Sequence, residues 1–159
     1  MTKKLLLTLS SVIAAVLFWY YFGAVSILKD DTSSFSKLQC VSYAPFAKDE
    51  SPFLFDNGLV ISSNRVREDL KLLSKYTDCI RTYSTVGLEM IPAIARENNL
   101  KMLMGAWVSK DKVQTKQELD TLIKLASENQ DIVKAVIVGN EVLLRGDTSD
   151  VLLLEYIKQ

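Results

Sequence analysis

The chain has 159 residues, 48% of them hydrophobic and 24% charged, which is the make-up of a folded protein and not of a disordered one. Lys+Arg and Asp+Glu both total 19, so the chain is neutral and lacks the basic excess of a nucleic-acid-binding surface. Histidine is absent, which excludes a His general base, a Ser/His/Asp triad and the commonest zinc ligand sets, and leaves acid–base work to carboxylates. The two cysteines, Cys40 and Cys79, lack CxxC spacing and are too few for a structural metal site, so neither a metal nor a cofactor is expected. They either pair as one disulfide in an oxidising compartment or stay as two buried thiols.

The first predicted element is a helix over the uncharged run Leu5 to Leu28, flanked by Lys3 and Lys4 before it and by Lys29, Asp30 and Asp31 after it. At 1.5 Å per residue it would span about 36 Å, enough to cross a hydrocarbon core of about 30 Å with some tilt. Lys3 and Lys4 favour the cytoplasmic side and put everything after Asp30 outside the cytoplasm. The expected layout is a signal anchor over 1–29, a polar Ser-rich linker over 30–37 and a folded region over 38–159. That describes a single-pass protein of the cytoplasmic membrane, with lipid around Leu5 to Leu28 and its folded part facing the periplasm or the cell exterior. The competing reading is secretion after signal-peptide cleavage. Ala24-Val25-Ser26 loosely fits a cleavage site, whereas Phe18-Trp19-Tyr20-Tyr21-Phe22 has the character of an aromatic interfacial anchor.

From Leu38 onward short apolar runs alternate with amphipathic patterns, which predicts successive β/α units and a parallel sheet. Strands are expected over Leu38 to Ala44, Cys79 to Ser84, Lys101 to Trp107 and Val133 to Gly139, apolar on both faces as if covered by helices. Between them, Val66, Leu70 and Leu73, then Leu88, Ile91 and Ala95, then Leu119, Leu122, Ile123 and Ala126 fall at helical spacing and read as core packing. Thr115-Lys-Gln-Glu118 reads as a capping box opening the third of these helices, and a fourth follows Asp147 to Asp150. Four units are half of the eight in a closed (β/α)₈ barrel, so the expectation is the N-terminal half of such a barrel, incomplete at its C-terminus. The long segment from Ala47 to Ser63 is a candidate groove-shaping loop, while Lys48 to Glu50 and Lys110 to Lys112 read as solvated charge.

In parallel α/β folds functional groups gather at the C-terminal ends of the strands. Here those ends are Ser42-Tyr43-Ala44-Pro45-Phe46, Arg81-Thr82-Tyr83-Ser84, Gly105-Ala106-Trp107-Val108 and Gly139-Asn140-Glu141-Val142. Glycoside hydrolysis needs two carboxyl groups about the scissile bond, one of them protonated. Glu141 follows an apolar run, where partial burial would favour the protonated carboxyl. Tyr43, Tyr83 and Trp107 offer faces on which sugars stack, or serve as ordinary barrel-mouth core aromatics.

The segments VSYAPF, IRTYST, KMLMGAWVS and VGNEVLLRGD, in that order and each at a strand end, resemble glycoside hydrolase family 17, the β-1,3-glucanase family, and most of all its bacterial members. The resemblance covers residues 38–159 and implies a (β/α)₈ barrel, a retaining mechanism with two glutamates and a β-1,3-glucan or related oligosaccharide as substrate. By that resemblance Glu141 is the acid/base, Asn140 hydrogen-bonds the 2-hydroxyl of the sugar being cleaved, Arg81 orients the nucleophile, and Tyr83 and Tyr43 line the sugar subsites. The family's nucleophile sits on the seventh strand, and none of Glu50, Glu68, Glu89, Glu97, Glu118, Glu128 and Glu155 is placed to stand in for it. The expectation is therefore a nucleophile beyond Gln159 and an inactive chain by itself. Transglycosylation of β-1,3-glucan, and a non-catalytic glucan-binding or scaffold module, are the alternative functions.

Overall fold

The computed structural model describes residues 3–23 and 37–159. The chain divides into two compact units, Met1–Ser36 and Lys37–Gln159. In the first, helix α1 covers Lys3–Phe22. Among the described residues no helix is long and apolar enough to cross a membrane. The end of the predicted apolar run and most of the predicted linker fall in residues 24–36, outside the described residues.

The second unit is an α/β fold in which β1 (Val41–Ser42), β2 (Cys79–Arg81), β3 (Lys101–Ala106) and β4 (Val133–Val138) form one sheet in the order β1-β2-β3-β4. Every neighbouring pair is parallel. After each strand the chain returns through α2 (Ser63–Leu73), α3 (Ile91–Glu97), α4 (Lys112–Glu128) or α5 (Asp150–Ile157). All four predicted strands are present and shorter than expected: β1 lacks residues 38–40 and 43–44 of its predicted span, and β2, β3 and β4 end before Thr82, Trp107 and Gly139.

The register separates the two faces. Ser42, Arg81, Leu103 and Ala135 lie in one row across the strands, while Ile80 and Met102 lie in an adjacent row facing the other way. Ile80, Met102, Met104 and Ala106 are buried and join Val66, Leu70, Ile91, Ala95, Leu119 and Leu122 of the helices in one core. The opposite row is open: Ser42 and Ala135 are exposed, and Arg81 and Leu103 half-buried. This corrects the expectation of strands covered on both faces, since all the described helices that bury residues pack on one side. β4, at the sheet edge, is largely exposed, with Val136 at 49%, and α5 buries none of its residues.

Local signals explain the helix starts. Ser62 caps α2, its hydroxyl accepting from the Arg65 N–H, and Pro92 stands in the first turn of α3, where its missing N–H costs nothing. Helix α4 begins earlier than the predicted capping box: Asp111 is its N-cap and accepts from the N–H groups of Val113 and Gln114. Thr115 and Glu118 therefore sit inside the helix, both buried. The first charged cluster is likewise more than solvated surface, because Glu50 accepts from Arg65 at 3.0 Å and from the Ala47 N–H at 2.9 Å, tying the loop after β1 to α2. The Arg65 guanidinium holds the Glu50 carboxyl below the usual carboxylate range.

At the opposite end of the strands two ties fix the base of the sheet. Cys40 and Cys79 form a disulfide across the lead-in to β1 and the start of β2, with Cα atoms 4.3 Å apart, which resolves the choice between paired and free thiols. Arg96 of α3 grips Asp131, ahead of β4, through two bonds of 2.7 Å, and this pairing lowers the Asp131 carboxyl to about 2.

Candidate active site

The turn after β4 carries the Asn140-Glu141 pair. Strict alternation would send Asn140 to the same side as Val138, which packs against the helix-side core. Gly139 breaks the alternation: it has φ +76°, and a Cβ there would lie 2.6 Å from Val142 Cγ1. Glycine adopts this conformation without steric cost. Glu141 also lies in the left-handed region, at φ 52°, which costs a non-glycine residue about 1 kcal/mol. Two such residues out of three fold the chain back on itself, and the turn is closed by Arg145 N–H donating to Glu141 O and Asp147 N–H to Val142 O, both at 2.9 Å.

The result is contact across the mouth of the sheet. Arg81 Nη2 donates to Asn140 Oδ1 at 2.8 Å, although the residues are 59 apart in sequence. The Arg81 guanidinium lies 4.6 Å from the centre of the Tyr83 ring, its neighbour two residues on, and the Tyr83 hydroxyl donates to Ser42 Oγ at 2.9 Å. Arg81 Nε is buried and has no hydrogen-bond partner among the described residues. Thus Ser42, Arg81, Tyr83 and Asn140, from the ends of β1, β2 and β4, form one connected polar strip.

Glu141 stands beside that strip and is exposed. The partial burial expected for it is absent because β4 is the edge of the described sheet, with no neighbouring strand to wall its far side. Tyr43 takes a different direction from Tyr83. It is only 8% exposed, it packs in the core, and its hydroxyl donates to Asp69 Oδ2 of α2 at 2.8 Å. Burial first, and the Asp69 carboxylate second, push the Tyr43 hydroxyl well above the usual tyrosine range, so it stays a neutral donor.

Three contributors make contacts that a reading of strand ends does not give. Arg145 donates to the Asn140 carbonyl, to Val108 O at 3.4 Å and to Asp147 Oδ2 at 2.7 Å, and its guanidinium lies 4.5 Å from the centre of the Trp107 ring. It lies within the quoted VGNEVLLRGD run, but only the Gly139 and Gly146 turn signals at its ends hint that the segment curls back on itself. Ser42 is an ordinary polar strand residue until Tyr83 meets it. Glu118, 3% exposed, accepts from the Thr85 N–H at 2.9 Å, the Thr85 hydroxyl at 3.0 Å and the Trp107 N–H at 3.3 Å, and from Ser84 Oγ. It anchors the turn after β2 and the end of β3 to α4, and its helical position alone says nothing of that.

Comparison with known proteins gives this geometry a family. Residues 40–159 match the model for the BtgE/BtgC glycoside hydrolase domain. A probable beta-glucosidase btgE of Aspergillus flavus is 38% identical over 101 residues, which is 62% of this chain and 16% of that protein. A putative glucan endo-1,3-beta-glucosidase btgC of Aspergillus niger is 34% identical over 92 residues, 53% of this chain and 13% of the relative. Among solved structures, an active-site mutant of the Rhizomucor miehei beta-1,3-glucanosyltransferase in complex with laminaritriose has TM-score 0.61 at 24% identity, covering 77% of this chain and 43% of that one. The same enzyme's other crystal structure is described as glycoside hydrolase family 17 and matches equally well. That likeness shows the fold: the four-stranded parallel sheet corresponds to part of a family 17 barrel. The chain spans less than half the length of these relatives. By its match over residues 40–159, this chain belongs to the BtgE/BtgC glycoside hydrolase domain family.

Proposed function

We propose that these residues form the acid/base-bearing part of an exported, membrane-anchored enzyme that processes β-1,3-glucan by a retaining two-glutamate mechanism. The observation that carries the reading is the Arg81–Asn140 bond at the mouth of the sheet, one residue from Glu141. Glu141 protonates the glycosidic oxygen as it leaves, while a second carboxylate, supplied from outside these 159 residues, takes the sugar as a covalent intermediate. Glu141 then removes the proton from the incoming water or sugar hydroxyl that releases it. Arg81 fits the orienting role because Nη2 fixes Asn140 while Nε is left as a buried donor for that second carboxylate. Asn140, with its side-chain Oδ1 held by Arg81, turns its side-chain N–H groups to the sugar 2-hydroxyl. Tyr83 and Trp107 bound the sugar path, and Tyr43 supports it from the core side.

Hydrolysis and transfer share the first chemical step, and the described glucanosyltransferase fold favours keeping transfer as the second reading. Laminarin-type oligosaccharides separate the two, since products longer than the substrate indicate transfer and exclusively shorter ones hydrolysis. In the native full-length product, Glu141→Gln should lower turnover by about 10²- to 10⁴-fold, the range for loss of a positioned acid/base. Undiminished turnover would overturn the assignment. The membrane-anchored part of the reading rests on the uncharged run Leu5 to Leu28 behind Lys3 and Lys4.

A further inference from the structure

Glu118 lies in the first half of α4, on the face that also buries Thr115, Leu119 and Leu122. An apolar residue would suit that face better, since a carboxylate loses its water there and the groups that donate to it are all neutral. Those donors come from two strand ends. Ser84 Oγ, the Thr85 N–H and hydroxyl, and the Val86 N–H at 3.4 Å belong to the turn after β2, and the Trp107 N–H belongs to the chain leaving β3. Here the chain has left the strands, which end at Arg81 and Ala106, so its N–H groups need an acceptor other than the neighbouring ladder. A carboxylate supplies two oxygens that only accept, whereas an amide of the same shape supplies one. Gly105 lets the two ends come close enough to share one side chain, because a Cβ there would meet Thr82 O at 2.4 Å.

Each braced end leads on to the Asn140-Glu141 turn. The 84–86 turn follows directly on Tyr83, whose ring faces the Arg81 guanidinium that holds Asn140 Oδ1. Trp107 carries its ring under the Arg145 guanidinium, and Arg145 in turn donates to the Asn140 carbonyl. A shift of either strand end therefore moves a cation that grips Asn140, on its side chain by one route and on its backbone by the other. Small displacements transmitted in this way are felt in turnover, because the reacting groups must be held in a narrow geometry.

We infer that Glu118 is a positioning residue for the reaction proposed above, its carboxylate holding the ends of β2 and β3 so that Arg81 and Arg145 meet Asn140 beside Glu141. The inference rests on that functional reading and adds to it a residue that acts only through others. In the native full-length product, Glu118→Gln keeps the side-chain shape and removes the charge and one acceptor. Assayed well below its unfolding midpoint, it should lower kcat about tenfold and leave KM within about twofold, the split expected when geometry at the reacting groups is lost and sugar contacts remain. In an Arg145→Ala background the same substitution should lower kcat only about threefold, because one of the two routes is already cut. An equal fall in both backgrounds, or a rise in KM with kcat unchanged, would overturn the inference. Thr85→Val removes a single hydroxyl from the brace and tests the same claim if Glu118→Gln does not fold: kcat should fall about threefold at constant KM, and an unchanged kcat would overturn it. A second measurement reads position without turnover. In NMR spectra of the isotopically labelled chain, Glu118→Gln should move the backbone amides of Asn140 and Glu141 as well as those of residues 84–86 and 107. Shifts confined to 84–86 and 107 would overturn the inference and leave the proposed function standing. Undiminished turnover in Glu141→Gln would instead remove the functional reading, whatever the amides of Glu118→Gln do.

Discussion

Arg145 shows how much of the site hangs on one side chain outside the reacting groups. Its planar fork meets the Asn140 carbonyl, the Asp147 carboxylate and the Trp107 face at once, and so holds a turn that contains a left-handed Glu141. Arg145→Ala leaves the Asp147 carboxylate, itself largely shielded, without its cation, and should cost about 2 kcal/mol of stability in urea unfolding. It should also move the backbone amide resonances of Asn140 and Glu141. Arg145→Lys retains charge but not the fork, so it should recover less than half of either effect. A wild-type turn in Arg145→Ala would show that Gly139 alone sets the geometry. Tyr43 and Tyr83 make the complementary point: two tyrosines at neighbouring strand ends look alike in sequence, yet one lies in the core against α2 and the other lies on the open face beside Arg81.

At the scale of elements, the helices and strands were legible because their apolar spacing is regular. Val66 with Leu70, and Leu119 with Leu122, fall on one face at helical spacing, and all four are buried. Element ends were less legible, since competing caps are equivalent on paper. Asp111 takes the N-terminus of α4 because Ser109 and Thr115 exchange bonds around it, whereas Thr115-x-x-Glu118 has the same lettering as a cap without the position. The disulfide belongs to this scale as well, because it ties β1 to β2 where β1 contributes only two ladder residues. Closing a loop between cysteines 39 residues apart is worth about 4 kcal/mol in the chain-entropy account. Cys40→Ala/Cys79→Ala, or reduction, should lower the unfolding free energy by an amount of that order, read as a fall in the urea midpoint. No change in midpoint would mean that the parallel pairing of β1 suffices without it.

For the whole molecule, one question is compartment. A disulfide is at home in an oxidising space, in keeping with export of residues 38–159. If residues 1–29 are an uncleaved anchor, the native product should remain in the membrane pellet after alkaline carbonate extraction, and deleting those residues should release it. Recovery in the soluble fraction with a new N-terminus near Ser26 would favour the cleaved signal peptide instead. The other question is coverage: the sheet is clothed by helices on one face, while its open face carries Ser42, Arg81 and Leu103, and its β4 edge exposes Val136.

Periodicity, a local property of the chain, was enough to predict the β/α order and the parallel sheet. Pairings between residues far apart in sequence were beyond it. That Arg81 meets Asn140, that Cys40 meets Cys79, that Glu118 braces two strand ends, and that Tyr43 and Tyr83 part company all depend on which faces the register brings together. A local pattern specifies a residue's side of its own element; only packing specifies what waits on that side.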